Sequence, residues 1–321
     1  MRLLILIILI VSSIWGWKFW SKSFRNSLKY ESELSRLLKS HVITLSHQIG
    51  DRNVFSIDAL NQSADYITKT FNSIGYKTEF QYYTCRGAKI KNIIATKIGV
   101  SNPSFIIIVG AHYDTCFNVG ADDNASAVAA LLELSRFMFN KKTDKTLKFI
   151  AFVNEEPPFF KSDNMGSMVY AKKAKEKNED IKAAIILEML GFYNEKPFSQ
   201  RYPPLFGFFF PSKANFIAAI GNFKSQWLVK MVVKSFKKAT SFPIEYLTTF
   251  SFVPGVDFSD NWSFWKMGYP AIMITDTAFY RNPHYHTNSD TYETLNYEYM
   301  AEIVKGIAES LIDLTSDAPP L

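Results

Sequence analysis

Two cysteines, Cys85 and Cys116, are all that this chain of 321 residues carries. So few leave no disulfide framework to build on, and they do not fix a redox compartment. They pair if the strand end from Tyr82 to Arg86 lies beside the loop after His112, or they stand as two unrelated thiols. Internal repeats and low-complexity linkers are also missing, which excludes a solenoid or a string of tethered modules. A cationic surface is missing as well. The formal net charge is +6, but Arg2, Lys18, Lys22, Arg25 and Lys29 supply +5 of it before the first acid, Glu31. The rest of the chain is close to neutral, so nucleic-acid binding has little electrostatic support. What remains is 47% hydrophobic and 21% charged, enough to bury a large core and near the upper size for a single one. One folded domain is expected over residues 27–321.

Residues 1–26 read differently. Leu3 to Trp17 is uncharged and spans roughly 22 Å as a helix, short of the about 20 residues that a membrane crossing needs. Phe19 and Trp20 extend it, with Lys18 snorkelling, and Trp15, Trp17 and Trp20 resemble an interfacial belt. A small-residue cleavage site is absent, because Ser12-Ser13 is followed by Ile-Trp-Gly-Trp. The segment is expected to be an uncleaved anchor, with cleavage and secretion as the alternative. The flank after the segment is more basic than the flank before it, which by the positive-inside rule keeps the domain cytoplasmic. N-terminal hydrophobic leaders usually serve export, so the domain is expected to face the periplasm or cell exterior.

Beyond the anchor, Leu28 to Ile49 and Ile57 to Ile74 carry apolar residues at three- and four-residue spacing and predict amphipathic helices. Strand candidates follow at Lys77 to Thr84, Lys91 to Ile98 and Phe105 to Ala111, separated by Gly and Pro. The first two are half polar and suit a sheet edge, and the third suits a buried centre. Helix and strand then alternate: Ala125 to Met138, Thr146 to Val153, Met165 to Glu176, Ala183 to Leu190, Ser225 to Thr240, Ala271 to Thr275 and Tyr297 to Leu314. This predicts an α/β fold of three layers, a central mixed and mainly parallel sheet with helices on both faces. Residues 191–224 read as a long aromatic loop, of a kind that is usually functional or strongly packed.

Ligand-type side chains gather at strand ends. His112 follows Ile106 to Ala111, Asp123 follows Gly120-Ala121-Asp122, Glu155-Glu156 follows Phe149 to Asn154, and Glu188 follows Ala183 to Leu187. His284-Tyr285-His286 offers two more imidazoles. In sheets of this type ligands bind beyond the carboxyl ends of the strands. Imidazole and carboxylate ligands suit zinc, and two ions about 3.5–4 Å apart need a carboxylate between them. Asp123, after a glycine turn and before a helix, is the candidate bridge. His112 and Glu188 then serve one metal, and Glu156 and His286 the other. Glu155 stands beside a ligand without being one, and is the candidate general base. Asp114 shares a strand face with His112 and is the candidate partner for its second imidazole proton. Taken singly these residues have plain alternatives: Asp122-Asp123-Asn124 as an N-cap cluster, Glu155-Glu156 before Pro157-Pro158 as a solvated turn. It is their recurrence at these several strand ends, in a chain with five histidines, that points to a metal site.

The stretches His112-Tyr113-Asp114, Gly120 to Ser126, Asn154-Glu155-Glu156, Leu187-Glu188-Met189, Ser259-Asp260 and His286 to Thr291 resemble the co-catalytic di-zinc aminopeptidase family. That family includes bacterial secreted leucyl aminopeptidases and, more remotely, glutamate carboxypeptidase and glutaminyl cyclase. The resemblance covers Leu37 to the C-terminus. It implies two zinc ions, peptide substrates, removal of N-terminal residues and the ligand division above, with His286 rather than His284 as ligand. One departure is Glu188, where the best-known members carry Asp. A zinc exopeptidase is therefore expected. The alternatives are a single-zinc glutaminyl cyclase and a non-catalytic receptor-like relative.

Overall fold

A computed structural model of the protein describes residues 33–317. The expected anchor at 1–26 lies outside the described residues, and among those described no helix is long and apolar enough to cross a membrane. The chain opens with α1 (33–42, continuing in π-helical turns at Ile43–Ile49) and α2 (Ile57–Ile74). Leu60, Ala64, Ile67, Phe71 and Ile74 form the buried stripe of α2 at the spacing that puts them on one face. Gly75 ends it with φ +117°, its N–H donating to Asn72 and Phe71 carbonyls. A Cβ there would lie 2.4 Å from the Phe139 ring, so the left-handed cap and the packing both require glycine.

Eight strands follow: β1 (Thr78–Cys85), β2 (Ala88–Lys97), β3 (Asn102–His112), β4 (Lys145–Phe152), β5 (Asp180–Glu188), β6 (Ile217–Gly221), β7 (Ile244–Thr248) and β8 (Ala271–Thr275). They form one sheet in the order β1-β2-β4-β3-β5-β8-β6-β7. Pairing is parallel for β3 with β4 and β5, β5 with β8, and β6 with β7, and antiparallel for β1 with β2, β2 with β4, and β6 with β8. The sheet is mixed, as expected, with the half-polar β1 at its edge and the apolar β3 at its centre. β3 shows why a third layer is needed: Ile107, Val109 and Ala111 join the core on one face, and Ile106 and Ile108 the core on the other. The first face is covered by α2, α3 (Ala127–Phe139), α5 (Gln226–Ala239) and α7 (Tyr297–Thr315), the second by α4 (Gly166–Glu176) and α6 (Asn261–Lys266).

Two differences from the sequence reading matter for function. Residues 191–224 are not all loop, because β6 lies within them, and β7 adds an outer strand beyond it. Each has five residues, too short for a two-residue period to stand out. The expected helix at Ala125 begins instead with π-helical turns at Ala121–Ser126, and Asp123 and Asn124 break helical geometry inside them. Cys85 and Cys116 are free thiols.

Candidate metal centre

The parallel trio β4-β3-β5 brings its carboxyl ends to one edge. His112 is the last residue of β3 and Glu188 the last of β5, and Glu155 and Glu156 follow β4 by three and four residues. Between β3 and α3 the chain makes a tight excursion that delivers Asp123. Gly120 has φ +53°, and a Cβ on it would lie 2.1 Å from the Asp123 carbonyl. The Asp123–Asn124 peptide is cis. Asn154, Met189 and His286, each beside or within the site, hold positive φ of 61°, 45° and 56°. Positive φ at these three non-glycine residues persists only where the surroundings over-determine it.

The supports are carboxylates gripping backbone. Asp290 accepts from the Asp122 and Asp123 N–H groups at 2.9 and 3.1 Å, and Asp114 accepts from Glu155 and Glu156 N–H at 3.1 Å each. Asn124 and Ser126 side chains accept from Met189 and Leu190 N–H at 2.9 Å. Arg52, fully buried, donates to the carbonyls of Tyr113, Leu45, Gly50, Val119 and Gly120 at 2.7–3.1 Å. The loop between His112 and Asp123 is thereby tied to the α1–α2 corner.

The expected ligands meet in the buried space that results. His112 Nε2 lies 3.4 Å from Asp123 Oδ1 and 3.3 Å from Glu188 Oε2. His286 Nε2 lies 3.2 Å from Asp123 Oδ2 and 3.2 Å from Glu156 Oε2. Glu155 Oε2 stands 3.9 Å from His112 Nε2. Ser259 Oγ donates to Glu188 Oε2 at 2.7 Å, so the longer Glu side chain has a fixed orientation at this position. Asp114 stands beside the second imidazole nitrogen of His112 and also braces the backbone after β4. The His112 Nδ1 is 3.2 Å from the Asp114 backbone carbonyl and 3.6 Å from its carboxylate, whose oxygens face the Glu155 and Glu156 amides. His284 is outside the cluster, with Nδ1 2.8 Å from Ser289 Oγ.

Burial dominates the electrostatics. It pushes Glu156 up to about 8, helped by Asp123, and holds Glu155 well above the usual carboxylate range. Asp123 goes the other way, because the two imidazoles outweigh its burial and hold it below the usual range. Burial would lower both imidazoles, yet the carboxylates around them raise His286 to about 10 and His112 as well. Asp260, fully buried, is pushed up to about 7 by burial. Asp260, Asp290 and Ser259 lie in the motifs named above but their sequence surroundings show no task for them, and Arg52 is an isolated basic residue before a turn with no local signal.

Do these residues fit a metal? His112 Nε2, Asp123 Oδ1, Glu156 Oε1 and His286 Nε2 are buried and make no hydrogen bond. Leaving such atoms unsatisfied costs about 1–3 kcal/mol each, and here they converge from four chain segments. Ligand atoms of His112, Asp123 and Glu188 lie within 4.8 Å of one another, as do those of Glu156, His286 and Cys116. A donor set of two imidazoles and several carboxylates suits zinc, and the residues fit it.

Residues 92–311 match the family model described as Peptidase family M28. The Escherichia coli (strain K12) protein YfbL is 39% identical over 280 residues, covering 84% of this chain and 85% of YfbL. A probable leucine aminopeptidase of Arthroderma otae is 29% identical over 244 residues, which span 68% of this chain and 58% of that protein. The chain therefore matches under two thirds of that fungal relative's length. Among solved structures, a zinc aminopeptidase from Bacillus subtilis, BSAP, superimposes with TM-score 0.70 at 16% identity, over 88% of this chain and 95% of that one. At that identity the likeness speaks for the fold.

Proposed function

We propose, from the premise that this chain belongs to peptidase family M28, that it is a zinc aminopeptidase that removes N-terminal residues from peptides at a site holding two ions. One observation carries the reading. The two oxygens of Asp123 face different imidazoles, Oδ1 toward His112 and Oδ2 toward His286, at 3.4 and 3.2 Å, which suits a bridging carboxylate. His112 and Glu188 would then hold one ion, and Glu156 and His286 the other. Asp114, Asp123, Glu155, Glu156, Glu188 and Asp260 crowd carboxyl groups into one buried volume, and this density of acid favours two divalent ions over one.

Zinc, when bound, would supply an acidified water and a polarised substrate carbonyl. Glu155 takes the proton at its carboxylate and returns it to the departing amine. Burial raises its basicity for that task, and cations at the neighbouring ligands draw it down. Asp114 fixes the Glu155-Glu156 turn through the two amides, and Asp290 fixes Asp123 in the same way.

Chelation is expected to abolish release of free amino acids from peptides, and zinc to restore it, with two zinc ions per chain by metal analysis. Zinc binding is also expected to strengthen as pH rises. In the metal-free chain His286 is protonated below about 10, and a ligand imidazole must be neutral. Each ion therefore displaces protons, and calorimetry at pH 7 in buffers of different ionisation enthalpy is expected to record net proton release. One zinc per chain together with pyroglutamate formation would favour a cyclase. No metal and no turnover would favour a binding protein. Attachment of the domain to an exported membrane face through residues 1–26 belongs to the same proposal; recovery in the soluble fraction without carbonate or detergent would sink it.

A further inference from the structure

One row of residues runs straight across the sheet beside the metal centre. Glu188 on β5 pairs with Thr275 on β8, Thr275 with Ala218 on β6, and Ala218 with Glu245 on β7. All four line one cavity, whose other walls are mostly apolar and aromatic, among them Phe206, Phe210, Val253, Phe279 and Tyr280, with Gln200, Arg201 and Thr277 as its polar members. The row therefore has a carboxylate at each end and two small side chains between. Thr275 and Ala218 leave a trough where larger residues would fill the space, and the next row, Met273, Ile220 and Leu247, continues the apolar floor.

The far carboxylate is what an ordinary hydrophobic pocket lacks. Glu245 is partly buried, and among the described residues no side chain makes an ion pair or hydrogen bond with it, Lys237 on α5 acting on it only through its charge. Tyr202, another lining residue, lies close enough to feel its charge. Partial burial without a partner leaves its charge available to something that enters the cavity. Three strand spacings separate the α-carbons of Glu188 and Glu245 by about 14 Å. An extended lysine or arginine side chain covers roughly half of that. The substrate carbonyl and the two glutamate side chains cover the rest.

We infer that this cavity is the pocket for the substrate's first side chain and that Glu245 makes it selective for a long side chain with an apolar stem and a cationic head, as in N-terminal lysine or arginine. The inference rests on the aminopeptidase reading and narrows its substrate class. The stem lies on Ala218 and Thr275 between aromatic walls, and the head reaches Glu245 without needing any group from the metal centre. A neutral residue of similar length, such as methionine, fills the trough but leaves the carboxylate without its partner.

The test is a panel of aminoacyl-nitroanilides (Lys, Arg, Leu, Met and Phe) assayed with the zinc-loaded full chain and with Glu245→Gln and Glu245→Leu. A charged hydrogen bond is worth about tenfold or more in kcat/KM. Wild type is expected to prefer Lys and Arg over Leu and Met by at least that factor, Glu245→Gln to lose the preference through a fall in Lys and Arg turnover, and Glu245→Leu to favour Leu and Met. Glu245 lies on the outermost strand, away from the metal centre, so wild-type zinc content and melting temperature in both variants control for folding. Wild type turning over Leu or Phe but not Lys and Arg would overturn the pocket assignment and leave the aminopeptidase standing. So would a Glu245→Gln variant that lowers every substrate alike. Turnover of no substrate by the zinc-loaded wild type would overturn both.

Discussion

Glu155→Gln is expected to lower kcat by about 10²–10⁴-fold while the purified variant keeps its zinc. The two halves of that outcome come from different features of the site. Glutamine has the same shape and can still accept a hydrogen bond, but it cannot take a proton, so a loss confined to kcat reads the proton transfer itself. Retention of zinc follows from placement: Glu155 stands 3.9 Å from His112 Nε2, whereas Asp123, Glu188, Glu156 and His286 are paired at 3.2–3.4 Å. Its backbone is held by Asp114 whatever the side chain does. His112→Ala is the contrast, since it removes a ligand and is expected to lose zinc and activity together. Turnover in Glu155→Gln equal to wild type, measured at matched zinc content, would remove this residue from the mechanism.

How much of this site was legible beforehand depends on whether a residue's task lies in its own side chain or in a distant backbone. His112, Asp123, Glu156 and Glu188 carry donor atoms, and each follows an apolar run or a glycine turn, so residue type and position together point to them, whereas His286 is separated from His284 only by the family resemblance. Asp114 was legible as a participant, but its task was not. On a strand, a residue two after His112 shares its face, which suggested an imidazole partner. The chain turns after His112, however, and sends the carboxylate to two amides that leave β4. Asp290 is of the same kind: its partners, the Asp122 and Asp123 N–H groups, are 168 and 167 positions away. The sheet's outer half was hidden for a simpler reason. β6 and β7 have five residues each, and only the pairing of β6 with β8 and of β7 with β6 distinguishes such runs from loop. That half supplies Ala218 and Glu245, so the residues facing the substrate were less readable than those facing the metal.

Arg52→Met is expected to be the most damaging substitution outside the ligands, lowering stability by about 3–5 kcal/mol and weakening zinc binding as well. Arg52 is fully buried and its guanidinium makes five bonds to carbonyls at Leu45, Gly50, Tyr113, Val119 and Gly120. No other side chain can replace it, because only the guanidinium presents five donors in one plane. Methionine fills part of the volume but leaves those carbonyls buried and unpaired, and lysine reaches only some of them. Burial lowers the Arg52 pKa to about 10, with Asp290, Asp114, Asp123 and Asp51 opposing that fall, so it remains a cation at neutral pH. Its charge therefore also offsets the carboxylates that grip the ligand loops. A typical domain is stable by about 5–15 kcal/mol, so a loss of this size can be a large part of the total. Thermal unfolding of Arg52→Met and Arg52→Lys, with and without zinc, separates the two effects. A purely structural role lowers the melting temperature of the metal-free and zinc-loaded forms by the same amount. A role in holding His112 and Asp123 for the metal predicts that the zinc-dependent rise in melting temperature shrinks in both variants. A variant with wild-type melting temperature and wild-type zinc affinity would show that the loop between His112 and Asp123 holds its shape without this guanidinium.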